Sequence, residues 1–320
     1  MKINIVLILL TCLFSHDKIF AAGLRNLGHR PDTTQTIAEP EIFVPGPVPF
    51  VATSVAAPAF TPDGKTFFMQ AKFADSLYIV GSHFAGGHWT APLKAPFSTT
   101  NCDLEPAFDP HGKYLVFASS RPATDTGKKI DERYNGSVYA GKGGNLWRVN
   151  FTKQGWSKPE RLPDVINANT SVFSPAIAGN GNLYFMRADS MKKFHLYCAK
   201  LVNGKYQAPE RLPFSNLTTW GDFDPAIAKD ESFIIFGSAR SPAPPKTADL
   251  FIVFRTSNGW GEPVDLRIIS PNVHGNEARL SPDNKTLYFS NSRNVEGVTV
   301  DDTWNIWKVD LSGFLKAHGL

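Results

Sequence analysis

Ser281-Pro282-Asp283-Asn284-Lys285-Thr286-Leu287-Tyr288-Phe289 spells a turn and the strand that leaves it. Proline fixes one backbone angle and Asp-Asn tolerates the tight reversal that follows. Thr, Leu, Tyr and Phe then suit a pleated, half-buried strand. Glu277-Ala278-Arg279-Leu280 precedes the turn as the arriving strand, so the unit is a hairpin. The same hairpin is written four more times upstream. Pro58-Ala59-Phe60-Thr61-Pro62-Asp63-Gly64-Lys65-Thr66-Phe67-Phe68 is the first copy, and Glu105-Pro106-Ala107-Phe108-Asp109-Pro110-His111-Gly112-Lys113 opens the second. Ser174-Pro175-Ala176-Ile177-Ala178-Gly179-Asn180-Gly181 and Asp224-Pro225-Ala226-Ile227-Ala228-Lys229-Asp230-Glu231 open the third and fourth.

Each hairpin is followed by a third apolar run, such as Ser76-Leu77-Tyr78-Ile79-Val80 or Asn145-Leu146-Trp147-Arg148-Val149. In four copies a fourth strand then starts at an aromatic after a tight turn: Gly87-His88-Trp89, Gly155-Trp156, Gly204-Lys205-Tyr206 and Gly259-Trp260. A proline follows shortly after each, which suits an outer strand whose N–H groups need no ladder partner. Four strands recurring at about fifty residues make an all-β chain, a single β-propeller of four-stranded blades. Five blades are expected, and a sixth, degenerate blade is the alternative. The fifth copy lacks its own fourth strand. The segment from Pro40 to Phe50, Pro40-Glu41-Ile42-Phe43-Val44-Pro45-Gly46-Pro47-Val48-Pro49-Phe50, stands before the first copy without a hairpin and is predicted to supply it, closing the ring and removing a free edge.

These motifs carry a resemblance. Residues 281–293 resemble the repeat of TolB-like, WD40-like propellers. Glu41-Ile42-Phe43-Val44-Pro45-Gly46 and the run from Asp224 to Ser232 resemble a subgroup of exported bacterial propellers without an assigned activity. The resemblance spans roughly residues 38 to 310 and implies a fold, with function to be argued from the site.

Lys2, an apolar run from Ile3 to Phe14 and the small residues Ala21-Ala22 read as a secretory signal peptide over 1–22. A linker over 23–37 and a propeller domain over 38–320 follow. A periplasmic or secreted location is expected. Cys12 raises lipidation as an alternative, although Thr11 stands where a smaller residue is preferred. No segment is long enough to span a membrane. Cys102 precedes an inner strand whereas Cys198 lies on a third strand of the next blade, so both are read as free thiols. A net charge of +4, with no Lys/Arg block interleaved with aromatics, gives no footprint for nucleic acid.

Strands alternate in direction, so the loops fall on two faces. The Pro-Asp-Gly turns lie on one, the turn face. The starts of the inner strands and the loops from second to third strands share the other, the loop face. Unusual polar residues gather there: Asp103 and Glu105, Trp220, Asp222 and Asp224, then His274 and Glu277 with Arg279 on the strand. Lys72, Arg121, Arg240 and Arg293 each come four residues after the last aromatic of a second strand. Asp103, Glu105, Arg121, Trp220, Asp222, Asp224, Arg240, His274, Glu277, Arg279 and Arg293 are the candidate ligand-binding set at the channel mouth. Two readings stay open: acids and arginines that cradle a small polar or oligosaccharide ligand, or salt bridges that hold the blades. The repeated Trp89, Trp156, Tyr206 and Trp260 are read as packing between blades. Long loops at 121–145, 238–249 and 291–305, with a shorter one at 187–195, sit on the same face, where a protein partner would dock.

No Gly-x-Ser-x-Gly, His-Glu-x-x-His or Asp-x-Asp-x-Asp-Gly pattern is present, so no catalytic residue, metal or cofactor is assigned. The function expected is a binding or protein-interaction scaffold of the cell envelope. The alternative is a carbohydrate-active enzyme, a glycosidase or lyase, using Glu105, Asp224 and Glu277.

Overall fold

The computed structural model describes residues 37–43, 54–73, 76–124, 126–134, 136–189, 193–215, 221–240, 248–291 and 305–320. Their strands form five antiparallel blades. The inner strands are Ser54–Phe60, Asp103–Phe108, Val172–Ile177, Asp222–Ile227 and Asn276–Leu280. Each pairs with the second strand of its hairpin, and that strand with a third. The core lies between blades, where Phe67, Phe117, Phe185, Phe236 and Phe289 of the five second strands are buried completely. Alternation fixes this: in Tyr114–Ser119 and its equivalents, both faces of the second strand meet a neighbouring blade, so apolar runs replace strict alternation.

The ring closes as the sequence predicts. Glu41–Ile42 pairs with Asn305–Asp310, in the register Glu41↔Lys308 and Ile42↔Trp307. Lys308 Nζ meets Glu41 Oε1 at 2.8 Å, and Phe43 N donates to Ile306 O at 2.9 Å. The Phe43 ring then enters the seam between the last and first blades, with centroids 5.5 Å from Phe67 of the first blade and 5.3 Å from Tyr288 of the fifth. One short strand thus joins the last blade to the first.

The fourth strands are broken rather than continuous. His88–Trp89 pairs with the far end of Ser76–Ala85, whereas Leu93–Lys94 pairs nearer its middle. The same split separates Gly155–Trp156 from Glu160–Arg161 and Gly259–Trp260 from Val264–Asp265. Pro92, Pro159 and Pro263 lie in the gaps, where a missing N–H would otherwise leave a hole in the ladder. The aromatics pack between blades as expected: Trp156 touches Phe68, Phe97 and Phe108, and Trp260 meets Phe214.

Two further elements are absent from the sequence reading. Glu132–Tyr134 and Ser137–Tyr139 pair as a small hairpin inside the 121–145 insertion. It leans on the third blade through Tyr134, stacked on Phe194 at 4.7 Å, and Arg133 N, which donates to Ser171 Oγ. Helix Ser312–Ala317 follows the last strand and buries Phe314 and Leu315 beside Phe254. Cys102 and Cys198 are free and buried. No described helix is long and apolar enough to cross a membrane.

Candidate functional site

All five inner strands carry a register shift at the same place: between Ala56 and Ala59, Leu104 and Ala107, Phe173 and Ala176, Phe223 and Ala226, and Asn276 and Arg279. The residue within each bulge has a positive φ: Ala57 51°, Glu105 53°, Ser174 48°, Asp224 52° and Glu277 54°. Proline follows in the first four, and Ala278 in the fifth. A proline cannot donate to the ladder, and a bulge removes it from the pairing. The cost is a left-handed backbone at non-glycine residues.

The bulges bring residues of different blades together around the channel. Ser174 N donates to Glu105 Oε2 at 2.7 Å, and Ser174 Oγ donates to Asp224 Oδ1 at 2.6 Å. Glu277 N donates to Asp224 Oδ2 at 3.1 Å. Gln70 completes the circuit: its Nε2 donates to Glu277 Oε1 at 2.9 Å and its Oε1 accepts from Glu105 N at 3.1 Å. Ser290 Oγ adds a bond to Glu277 Oε2. The result is a closed belt of side chains and strained amides that runs through all five blades except for Ala57, whose blade contributes Gln70 from its second strand. Burial, then the neighbouring Asp224, pushes the Glu105 carboxyl up to about 7. The same causes in the same order, with Glu105 added, push Glu277 to about 8.

Toward the loop face lies a second layer. Asp103 is fully buried and pairs with Arg121 Nη2 at 2.7 Å. Ser119 Oγ donates to Asp103 Oδ1 at 2.6 Å, Thr99 N donates to its Oδ2, and Arg121 Nη2 reaches Phe97 O. The fourth blade repeats the set: Asp222 with Arg240 at 2.7 Å, Ser238 Oγ on Asp222 at 2.6 Å, and Arg240 Nη2 on Phe214 O. Even the rings agree, with Arg121 over Phe117 and Arg240 over Phe236 at 5.1 Å each. Each set ties an inner strand, its second strand and the connection arriving from the previous blade. The third blade lacks the acid: Val172 stands there, and Arg187 lies over the Tyr197 ring at 4.2 Å instead. In the fifth blade Asn291 Nδ2 donates to His274 O. Trp220 and Arg293, named from the sequence, lie outside the described residues, as do 241–247 and 292–304 of the long loops.

The structure therefore gathers Glu105, Asp224 and Glu277 into one belt and separates Asp103–Arg121 from Asp222–Arg240 as two buried clusters. Sequence reasoning passed over Gln70 and Ser174. Gln70 carried a signal, a polar residue where the second and fourth blades have Ala118 and Gly237. Arg279 goes to neither layer. It lies beyond the belt, toward the turn face, at the position held by Ala59, Ala107, Ala176 and Ala226 in the other blades. No group of three or more His, Cys, Asp or Glu with metal-binding geometry occurs among the described residues.

Five blades of antiparallel strands around a polar channel define a five-bladed β-propeller. Among solved structures the chain is similar to TolB from Acinetobacter baumannii, at 14% identity over 80% of this chain and 54% of that one, with a TM-score of 0.44. It thus spans about half the length of that TolB. It is also similar to the catalytic domain of a GH62 α-L-arabinofuranosidase from Coprinopsis cinerea, at 11% identity over 87% of this chain and 97% of that one, TM-score 0.49. A thermostable family-43 glycoside hydrolase gives 9% identity over 83% and 90% of the two chains, TM-score 0.49. No family model and no curated protein matches the chain. At these identities the likeness is one of architecture, and the five blades rest on the sheets themselves.

Proposed function

We propose that this chain is an exported binding propeller, periplasmic or secreted, which presents its loop face to a protein partner or to a small polar or oligosaccharide ligand. One observation carries the reading. The described acids at the channel mouth are already held, Glu105, Asp224 and Glu277 by neighbouring blades and Asp103 and Asp222 by buried arginines. Such a network makes a rigid platform, and rigid scaffolds bearing long loops are where recognition tends to reside. The ordered hairpin of the 121–145 insertion, with Val138 54% exposed, supplies one such loop element.

A second reading has its own support. Burial and the neighbouring Asp224 and Glu105 push the Glu277 carboxyl up to about 8, and a carboxyl held up toward neutrality is what a glycosidase needs as general acid. A thermal-shift screen of the secreted form against oligosaccharides, peptides and Ca²⁺ separates the two. A ligand that binds only the folded chain raises Tm by mass action. A peptide or sugar that raises Tm without being cleaved supports the binding role. Turnover of a glycan that is lost in a normally melting Glu277→Gln variant would establish the enzyme and displace the scaffold reading. N-terminal sequencing of secreted protein that begins after Ala21 or Ala22 supports export, and an uncleaved cytoplasmic product refutes it.

A further inference from the structure

On the turn face the channel ends in a cavity of about 130 Å³. Phe60, Phe108, Ile177, Ile227 and Leu280 of the five inner strands give it an apolar side, and polar groups line nearly as much of it. Exposed prolines, Pro62 and Pro282, stand at the rim. No carboxylate lines it; the charged lining residues are Arg279 and Lys229.

Arg279 is the anomaly of this layer. Four blades place alanine at its position, leaving one blade to send a guanidinium into the space that the alanines open. The residue is 5% exposed. Its Nη1 donates to Ala278 O at 2.7 Å, while Nε and Nη2 are buried without a hydrogen-bond partner. These two nitrogens share one edge of the guanidinium, and together they form the parallel donor fork that fits a carboxylate. Leaving two charged donors buried and unmade is costly, so the geometry implies a partner. The belt carboxylates Glu105 and Glu277 bear on Arg279 through their charge, yet neither takes up these donors.

We propose that this cavity is a binding site for a small monocarboxylate with a compact apolar body, entering from the turn face and pairing with Arg279, whose Nε/Nη2 edge is closed to solvent here and turns to meet it. The cavity is comparable to one that holds benzene, so the ligand is of a few carbon atoms. Lys229 at the rim adds a second positive charge along the approach. The site is at the opposite end of the channel from the loop face and stands whatever that face binds.

Calorimetric titration of the secreted protein with butyrate, and with butyramide as the uncharged counterpart, tests it. Butyrate is expected to bind saturably and butyramide at least about tenfold more weakly. Arg279→Ala, which gives the fifth blade the residue of the other four, is expected to remove butyrate binding. Ala176→Leu keeps the arginine and fills the cavity, and is expected to weaken butyrate by about tenfold or more. It serves even if Arg279→Ala fails to fold. Absence of saturable butyrate binding up to about 10 mM overturns the proposal. So does equal binding of butyramide, or butyrate binding that survives the cavity-filling variant. Inorganic phosphate binding as tightly as butyrate would also overturn it, since the apolar side would then contribute nothing.

Discussion

Asp103 and Asp222 show what one residue does in this molecule. Each accepts from a serine hydroxyl and an arginine inside a site closed to water, and each arginine lies on a ring that shields it further. Removing the acid alone strands a buried cation, which costs far more than the pair contributes. Asp103→Asn is therefore expected to lose about 3 kcal/mol of stability in urea unfolding. Asp103→Asn combined with Arg121→Met should recover most of it, because no buried charge then remains. A single variant as stable as the parent would mean that Arg121 finds other partners. The motif itself was legible: an acid at the start of an inner strand and an arginine four residues after the last aromatic of the next. Whether the two meet was not, because Arg121 lies eighteen positions along the hairpin from Asp103.

At the scale of elements, the decisive piece is the two-residue strand Glu41–Ile42 with Phe43 behind it. It pairs the outer edge of the last blade and places an aromatic ring in the seam with the first. Isolated edges template association. A chain shortened to begin after Phe43 is expected to expose Asn305–Asp310 and to aggregate or self-associate at concentrations where the parent does not, as light scattering after gel filtration would show. Phe43→Ala keeps the strand and tests the ring alone, with an expected loss of about 3 kcal/mol. If both variants stay monomeric and as stable as the parent, the closure contributes little. The split fourth strands belong to this scale too. Their aromatics and prolines were legible as an outer strand, whereas the gap was not, since periodicity reports which residues face inward but not where a ladder is interrupted.

For the whole molecule, the channel belt couples blades that are distant in sequence. Burial and the shared acidic site push the Glu105 and Glu277 carboxyls up to about 7 and about 8, against 4.5 for an ordinary glutamate. Between those limits the unfolded chain binds fewer protons than the folded one. The contribution of these groups to stability is therefore full below about pH 4.5, falls as pH rises through the window, and is flat above about pH 8. Tm is expected to drop by several degrees from about pH 5 to about pH 9, and the Glu105→Gln/Glu277→Gln variant to show a shallower slope. A parent whose Tm rises over that range through these groups, or a double variant with an unchanged slope, would show that the two carboxyls are ionised in the fold.

The sequence by itself determined the hairpins, their number, the aromatic seams and the strand that closes the ring, because each is written in local chemistry: a turn residue at a fixed offset, a short run of apolar and β-branched residues, a proline at an edge. It also named Glu105, Asp224, Glu277 and Arg279 as residues that break the apolar pattern. Only the tertiary structure decided what they do. A bulge inserts one residue into a strand and so resets which side chains point into the channel. That reset is repeated in five blades, and ring closure then sets Glu105 beside Ser174, Asp224 beside Glu277, and Gln70 between the last blade and the second. The same geometry turns Arg279 away from the loop face and into a cavity that four alanines leave open. Contacts of that kind join residues as far apart as Gln70 and Glu277, so they exist only once the whole ring has formed.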